Sequence, residues 1–185
     1  MRCRHPKLNQ EAADCRVAIS ALHKRGKPAK IGAQNTEKGH KMPPIPPPLN
    51  RNAPCPCGSQ HQLQQCCLVF IEGTLPAPTA ETLMRSRYTA HALSTQVLSA
   101  IDYLWDTWSP EQRERSSKAD IRHWAESCEW LGLEILRTQA GSANDEQGLI
   151  EFVAHFRQAG QNHEHHELSV FKKADGKWLY LDHLS

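Results

Sequence analysis

Four of the chain's seven cysteines fall within one thirteen-residue stretch, as Cys55-Pro56-Cys57-Gly58 and Cys66-Cys67. Thiolates are soft donors, and two local pairs of them supply the tetrahedral shell that Zn2+ prefers, with bonds of about 2.3 Å. Pro56 fixes its own φ, and Gly58 lets the chain reverse so that amides come near the sulfurs. The linker 59–65 is polar enough to return the second pair to the first as a loop or helical turn. Disulfides inside Cys-x-Cys or between adjacent cysteines would be strained. The expected cofactor is therefore one structural zinc on Cys55, Cys57, Cys66 and Cys67. Four thiolates leave no position for water or substrate, so such a site contributes folding energy and shapes a surface.

Further along, Arg85 and Arg87 stand among apolar positions of an expected helix, and Glu167 stands on an expected strand beneath it. A buried carboxylate needs a charged or hydrogen-bonding partner, so one of these arginines is expected to pair with Glu167. As a site, they would line a cavity with Trp105, Trp108 and Ser169; as structure, they would form a buried brace, and the brace is the simpler reading. In His163-Glu164-His165-His166-Glu167, the first, third and fifth residues would share one strand face. A polar strand end accounts for that run without a second metal. Cys128, near Trp124 and Trp130, reads as a small buried apolar group, while Cys3 and Cys15 have no partners at ligand spacing. No nucleophile elbow, phosphate-binding glycine loop or dinucleotide fingerprint is present, and no catalytic residue is assigned.

The elements that must position these groups read as helices first and strands second. Pro78-Thr79 predicts a cap, with Ala80, Leu83, Met84, Tyr88 and His91 following at helical spacing. Thr95 is expected to cap a second helix carrying Val97, Leu98, Ile101, Leu104, Trp105 and Trp108 on one stripe. Ser109-Pro110-Glu111-Gln112 predicts a third start, and 120–127 a fourth short helix. After residue 129 the period becomes two: Leu131, Leu133 and Ile135, then Ile150, Phe152, Ala154 and Phe156, then 166–171. Asp175-Gly176 predicts a tight hairpin turn into Trp178-Leu179-Tyr180-Leu181. The fold class is α+β, helices packed on an antiparallel sheet.

The net charge of +2 averages unlike parts. Residues 1–50 hold ten Lys/Arg against three Asp/Glu, and residues 51–185 hold twelve against seventeen, so a +7 arm precedes a −5 body. All twelve aromatics follow residue 69, and the arm ends in Met42-Pro43-Pro44-Ile45-Pro46-Pro47-Pro48. So few large apolar groups cannot offset backbone ordering entropy, so 1–50 is expected to be a disordered, proline-rich arm with at most a helical turn near Val17–Leu22. Weak nucleic-acid contact is the most it offers a partner. The longest apolar run, Leu68-Val69-Phe70-Ile71, is far below the ~20 residues of a membrane span. No apolar stretch follows Met1 as a secretory signal requires, which points to the reducing cytoplasm and to thiols over disulfides.

Cys55-x-Cys57-Gly58-Ser59 followed by Cys66-Cys67 resembles the SEC-C motif, a small zinc knuckle named for the C-terminus of the SecA translocation ATPase. Beyond it, Pro78 to Tyr88 with its Met84-Arg85-Ser86-Arg87-Tyr88 segment, Thr107-Trp108-Ser109-Pro110, Leu133-Glu134-Ile135-Leu136, Glu151-Phe152 and His166-Glu167-x-Ser169-x-Phe171 resemble the bacterial YchJ-like family. The resemblance implies a knuckle at 51–75 and a domain of nuclear transport factor 2-like fold, a cone of helices on a sheet, at 76–185. It departs from the family where Ser109 replaces a usual His and Leu168 and Val170 replace arginines, so no catalytic role carries over to those positions. Its functional implication is a non-catalytic adaptor with a protein partner at the knuckle, because the SecA version engages the chaperone SecB and ribosomes. The competing implication is a small-molecule-binding domain or enzyme using the conical pocket, with Glu167, His166 or Glu151 as acid or base.

Overall fold

The computed structural model describes residues 48–184. The basic arm, Cys3, Cys15 and the expected helical turn near Val17–Leu22 lie outside the described residues. A 3-10 turn, Leu63–Gln65, is the first of the described elements. It is followed by helices α1 (Leu68–Ile71), α2 (Ala80–Ala92), α3 (Ala100–Asp106), α4 (Pro110–Glu114) and α5 (Lys118–Ser127). Strands β1 (Glu129–Ala140), β2 (Gln147–Gln158), β3 (Gln161–Ala174) and β4 (Lys177–Leu184) complete the chain. They form one antiparallel meander in the order β1-β2-β3-β4. Helices lie on one face of this sheet, so the structure is the expected α+β arrangement.

Local chemistry sets the helix starts. Thr79 is extended and its Oγ1 accepts from Thr82 N at 3.0 Å, satisfying an otherwise unpaired first-turn amide. Ser109 and Ser117 do the same for Gln112 and Asp120 ahead of α4 and α5. The predicted helix from Thr95 is shorter than its apolar stripe suggested. It begins only at Ala100, and 93–99 forms turns that redirect the chain out of α2. Val97 is buried in that bend, whereas Leu98 is fully exposed, so the stripe did not mark one continuous face. Trp108 lies past the end of α3, where Ser109 N donates to Tyr180 O and Tyr180 N to Thr107 O, both at 2.8 Å.

The two tight turns of the sheet each carry consecutive positive-φ residues, Ala159-Gly160 (50°, 81°) and Asp175-Gly176 (50°, 75°). That sign pair is the one whose twist matches flanking strands, so Asp175-Gly176 makes the hairpin predicted for it. Along β2 burial alternates strictly, placing Ile150, Phe152, Ala154 and Phe156 against the helices. With Leu133, Phe171 and Trp178 they pack on Ala80, Leu83, Met84 and Tyr88 of α2. A second core lies on the other side of α2 and unites Cys55, Cys57, Leu63, Cys67, Leu68 and Ile71 with Ala90, Leu93, Ile101, Leu104, Ile121 and Ala125. The cysteine segment is therefore packed into the helical layer.

Candidate metal centre

The chain around the cysteines folds back through short-range hydrogen bonds. Cys55 N donates to His61 O at 2.8 Å, and Leu63 N to Ala53 O at 2.9 Å, pairing the two arms of the loop. Gly58 closes the first arm at φ +79°, with its N–H on Cys55 O. The 3-10 turn then brings in Cys66, whose N–H reaches Leu63 O, and Cys67 O accepts from Phe70 N and Ile71 N of α1. Cys57 (0% exposed), Cys67 (1%) and Cys55 (4%) are buried and Cys66 half-buried.

The four Sγ atoms all lie within 4.8 Å of one another. Cys57 Sγ is 3.6 Å from Cys66 Sγ, which is 3.8 Å from Cys67 Sγ. A tetrahedron with metal–sulfur bonds of about 2.3 Å has edges of about 3.8 Å, so the cluster already has the size of a four-thiolate shell. The donor set fits a soft or borderline divalent ion, and it is the one group among the described residues that brings three or more ligand atoms into such range. Thiol acidity is split within the cluster. Hydrogen bonds from Cys55 and Cys67, with Ser59 adding to them, hold Cys57 far below the ordinary thiol range. Cys67, the donor to Cys55 and Cys57, is pushed well above it, and burial pushes Cys66 up to about 11.

The histidine run does not gather its side chains as the cysteines do. His163, His165 and Glu167 do share a face of β3, but His163 stacks on Phe156 at 5.4 Å and only His165 approaches the carboxylate, at 3.0 Å.

The two arginines go to opposite places, and neither pairs with Glu167. Arg85 Nε binds Glu81 Oε1 and its Nη1 donates to Cys57 O, both at 2.8 Å, so it serves the cysteine loop. Arg87 is only 6% exposed and donates from Nη1 to Leu104 O (2.8 Å) and Thr107 Oγ1 (2.6 Å). Its guanidinium lies 5.8 Å from the Trp108 ring centroid and 5.3 Å from that of Tyr180. Tyr180 links it to the carboxylate, its hydroxyl donating to Glu167 Oε1 at 3.1 Å. Ser169, fully buried, donates to the same oxygen. Trp105 sits beside Trp108 at 6.3 Å.

Burial lowers Arg87 to about 10, with Tyr180, Tyr103 and Glu167 opposing the drop. Burial pushes Glu167 up, but hydrogen bonds from His165 and Ser169, with the His165 charge and Tyr180, outweigh it and leave Glu167 below the usual range. The direct ion pair expected from sequence is replaced by a relay, with Tyr180 contacting the guanidinium by its ring and the carboxylate by its hydroxyl. Tyr180, Thr107 and His165 were missed as partners. The alternation that places Trp178 and Tyr180 on the Phe171 face was the signal for the first of them.

His166 and Glu151 pair with each other at 3.0 Å on the opposite face of the sheet from Glu167, and Glu151 also binds Arg137 at 3.3 Å. They cannot work with Glu167 on one substrate, since neighbouring β3 residues point to opposite faces. A surface depression of about 420 Å3 lies elsewhere, lined by Leu49, Arg51, Glu72, Val97 and Leu98 among others.

Comparison with known proteins matches this architecture. Residues 51–68 fit the SEC-C motif, and residues 79–183 fit the family model described as YchJ, middle NTF2-like domain. A UPF0225 protein of Geobacter sulfurreducens is 42% identical over 128 residues, covering 69% of this chain and 76% of its own length. One from Chromobacterium violaceum is 41% identical over 133 residues, covering 71% and 93%. The solution structure of a SEC-C motif containing protein from Rhodopseudomonas palustris superposes with a TM-score of 0.63 at 34% identity, covering 72% of this chain and 98% of that one. The crystal structure of a SEC-C motif containing protein from Psychrobacter arcticus gives 0.59 at 29% identity, covering 71% and 82%. With a knuckle of four thiols packed against a helix-covered antiparallel meander, the chain belongs to the UPF0225 family of SEC-C motif proteins with a YchJ-type NTF2-like domain.

Proposed function

We propose that this protein is a non-catalytic binding module in which a zinc ion held by Cys55, Cys57, Cys66 and Cys67 stabilises a surface for a protein partner, in the ribosome or export machinery. The observation that carries the reading is the closed four-sulfur cluster, which supplies shape and stability and keeps no position for substrate. Leu98, fully exposed, stands at the rim of a depression shared with Val97, Arg51 and Glu72. One exposed leucine alone is ordinary surface; the depression's mixed apolar and charged lining is what suits a protein contact. The +7 arm would add only a salt-sensitive contact to nucleic acid.

Metal analysis of the purified chain should return about one zinc per molecule. Leu98→Asp leaves the core untouched and should reduce co-sedimentation with purified ribosomes or capture of a defined export factor. Equal binding by wild type and Leu98→Asp in both assays, or binding by neither, ends the adaptor reading.

A second reading, a small-molecule site in the cone, is favoured by one observation: the exposed His165 beside Glu167, close to Arg87. A thermal-shift screen with small organic acids checks it. No compound stabilising the wild type more than Glu167→Gln would remove it.

A further inference from the structure

Helix α2 touches the cysteine cluster through two side chains that are not ligands. Arg85 donates to Cys57 O at 2.8 Å while Glu81 holds its Nε, and Glu81 in turn accepts from Thr138 Oγ1 of β1 at 3.3 Å. One turn further, Thr89 Oγ1 lies 3.7 Å from Cys55 Sγ and donates to Arg85 O at 3.0 Å. Thr89 is fully buried, and the Arg85 side chain is 26% exposed.

We propose that Arg85 and Thr89 are positioning residues of the metal centre, an outer shell built on α2 that sets how tightly the four cysteines hold their ion. The inference rests on the metal reading of the cysteines and extends it to the helix. Four thiolates around a divalent cation carry two net negative charges, and a half-buried site needs that charge met by nearby donors. Arg85 is, among the described residues, the guanidinium hydrogen-bonded to the ligand loop. Its planar fork spans Glu81 and the Cys57 carbonyl together, which fixes both the charge and the loop between Cys55 and Gly58. Thr89 carries a single hydroxyl proton. In the structure that proton goes to Arg85 O; a metal-bound sulfur only accepts, so holding the ion would turn the proton from Arg85 O towards Cys55 Sγ, 3.7 Å from the oxygen. Ser59 Oγ, 3.2 Å from Cys66 Sγ, plays the same part within the loop itself.

The test uses the full chain and Zn2+ as the probe, with affinity measured by competition against a chromophoric chelator. Arg85→Gln and Thr89→Val should each weaken zinc about 10-fold, the lower end of the range for outer-shell partners. Thr89→Ser should keep wild-type affinity, and Arg85→Lys should restore little of the loss because an ammonium cannot span both acceptors. Arg115→Gln, at an exposed pair with Asp182, serves as the unaffected control. The thiolate-to-metal absorption of the Co2+ form should shift in Thr89→Val and not in Thr89→Ser. Thermal stability, measured with and without metal, should fall more in the loaded form. Equal losses in both forms with unchanged affinity would overturn the proposal and make the two residues packing only. If Arg85→Gln does not fold, the Thr89 pair decides alone. A wild-type chain that binds no zinc defeats the metal reading itself, an outcome distinct from unchanged affinity in the variants.

Discussion

Arg85 and Arg87 are two residues apart, which on an α-helix turns the second about 200° from the first. That rotation sends Arg85 to the cysteine loop and Arg87 to the C-terminal end of α3. Their identities were legible in the sequence, but their partners were not, since helical phase says only that the two diverge. The Arg87–Tyr180–Glu167 relay predicts that Tyr180→Phe, which removes one buried donor, costs about 1–2 kcal/mol in urea unfolding. Unchanged stability would mean that the hydroxyl contributes nothing to the brace.

One turn from Arg87, His91 packs on Trp130 at 5.1 Å with a buried Nδ1 that has no partner among the described residues. Burial, then the charges of Arg87 and His165, lower its pKa from 6.5 to about 3. The unfolded chain therefore binds a proton that the folded chain refuses. Stability is complete above the unfolded value of 6.5 and is lost as pH falls from there towards 3, with a slope of at most about 1.4 kcal/mol per pH unit. Glu167 is also depressed, so its contribution is lost below the ordinary carboxylate range, in a lower window. Urea titrations at pH 7 and pH 5 should therefore separate the two, with His91→Gln flattening the loss between them. A variant as acid-sensitive as wild type would place the effect elsewhere.

At the scale of elements, α2 explains why part of the pattern misled. Eight of its thirteen residues are buried, on both sides, because the sheet covers one flank and the cysteine loop with α3 and α5 the other. A helix covered all round carries a weak amphipathic signal. Its start was still readable, because a Thr cap is local chemistry. The false start at Thr95 arose because apolar spacing ran on through a bend that only packing produces. The β1–β2 connection depends on close approach to the same helix. A Cβ on Gly148 would meet Gly141 Cα at 2.6 Å and Ala80 Cβ at 2.9 Å, and Ala80 N donates to Gly141 O. Gly148→Ala should cost roughly 1–3 kcal/mol through overpacking against backbone. A neutral result by thermal unfolding would show that the hairpin can shift away from α2.

For the molecule as a whole, the knuckle and the helical layer share one core, so the metal should act on the entire fold. At a metal concentration about a thousand-fold above Kd, linkage adds about 4 kcal/mol, or roughly 10–20 °C in Tm. Chelation should lower the far-UV circular dichroism and tryptophan fluorescence transitions together. A sheet transition that stays in place while only the knuckle melts would contradict the shared core. The four ligand candidates, the caps at Thr79 and Ser109, the alternation of β2 and the Asp175-Gly176 turn were determined by sequence alone, because each depends on neighbours a few residues away. The opposite destinations of Arg85 and Arg87, the Tyr180 relay and the burial of the thiols in the helical core were decided only by tertiary structure. They join residues up to roughly a hundred positions apart, such as Arg87 and Tyr180, and no local spacing records which surfaces the sheet and helices bring into contact.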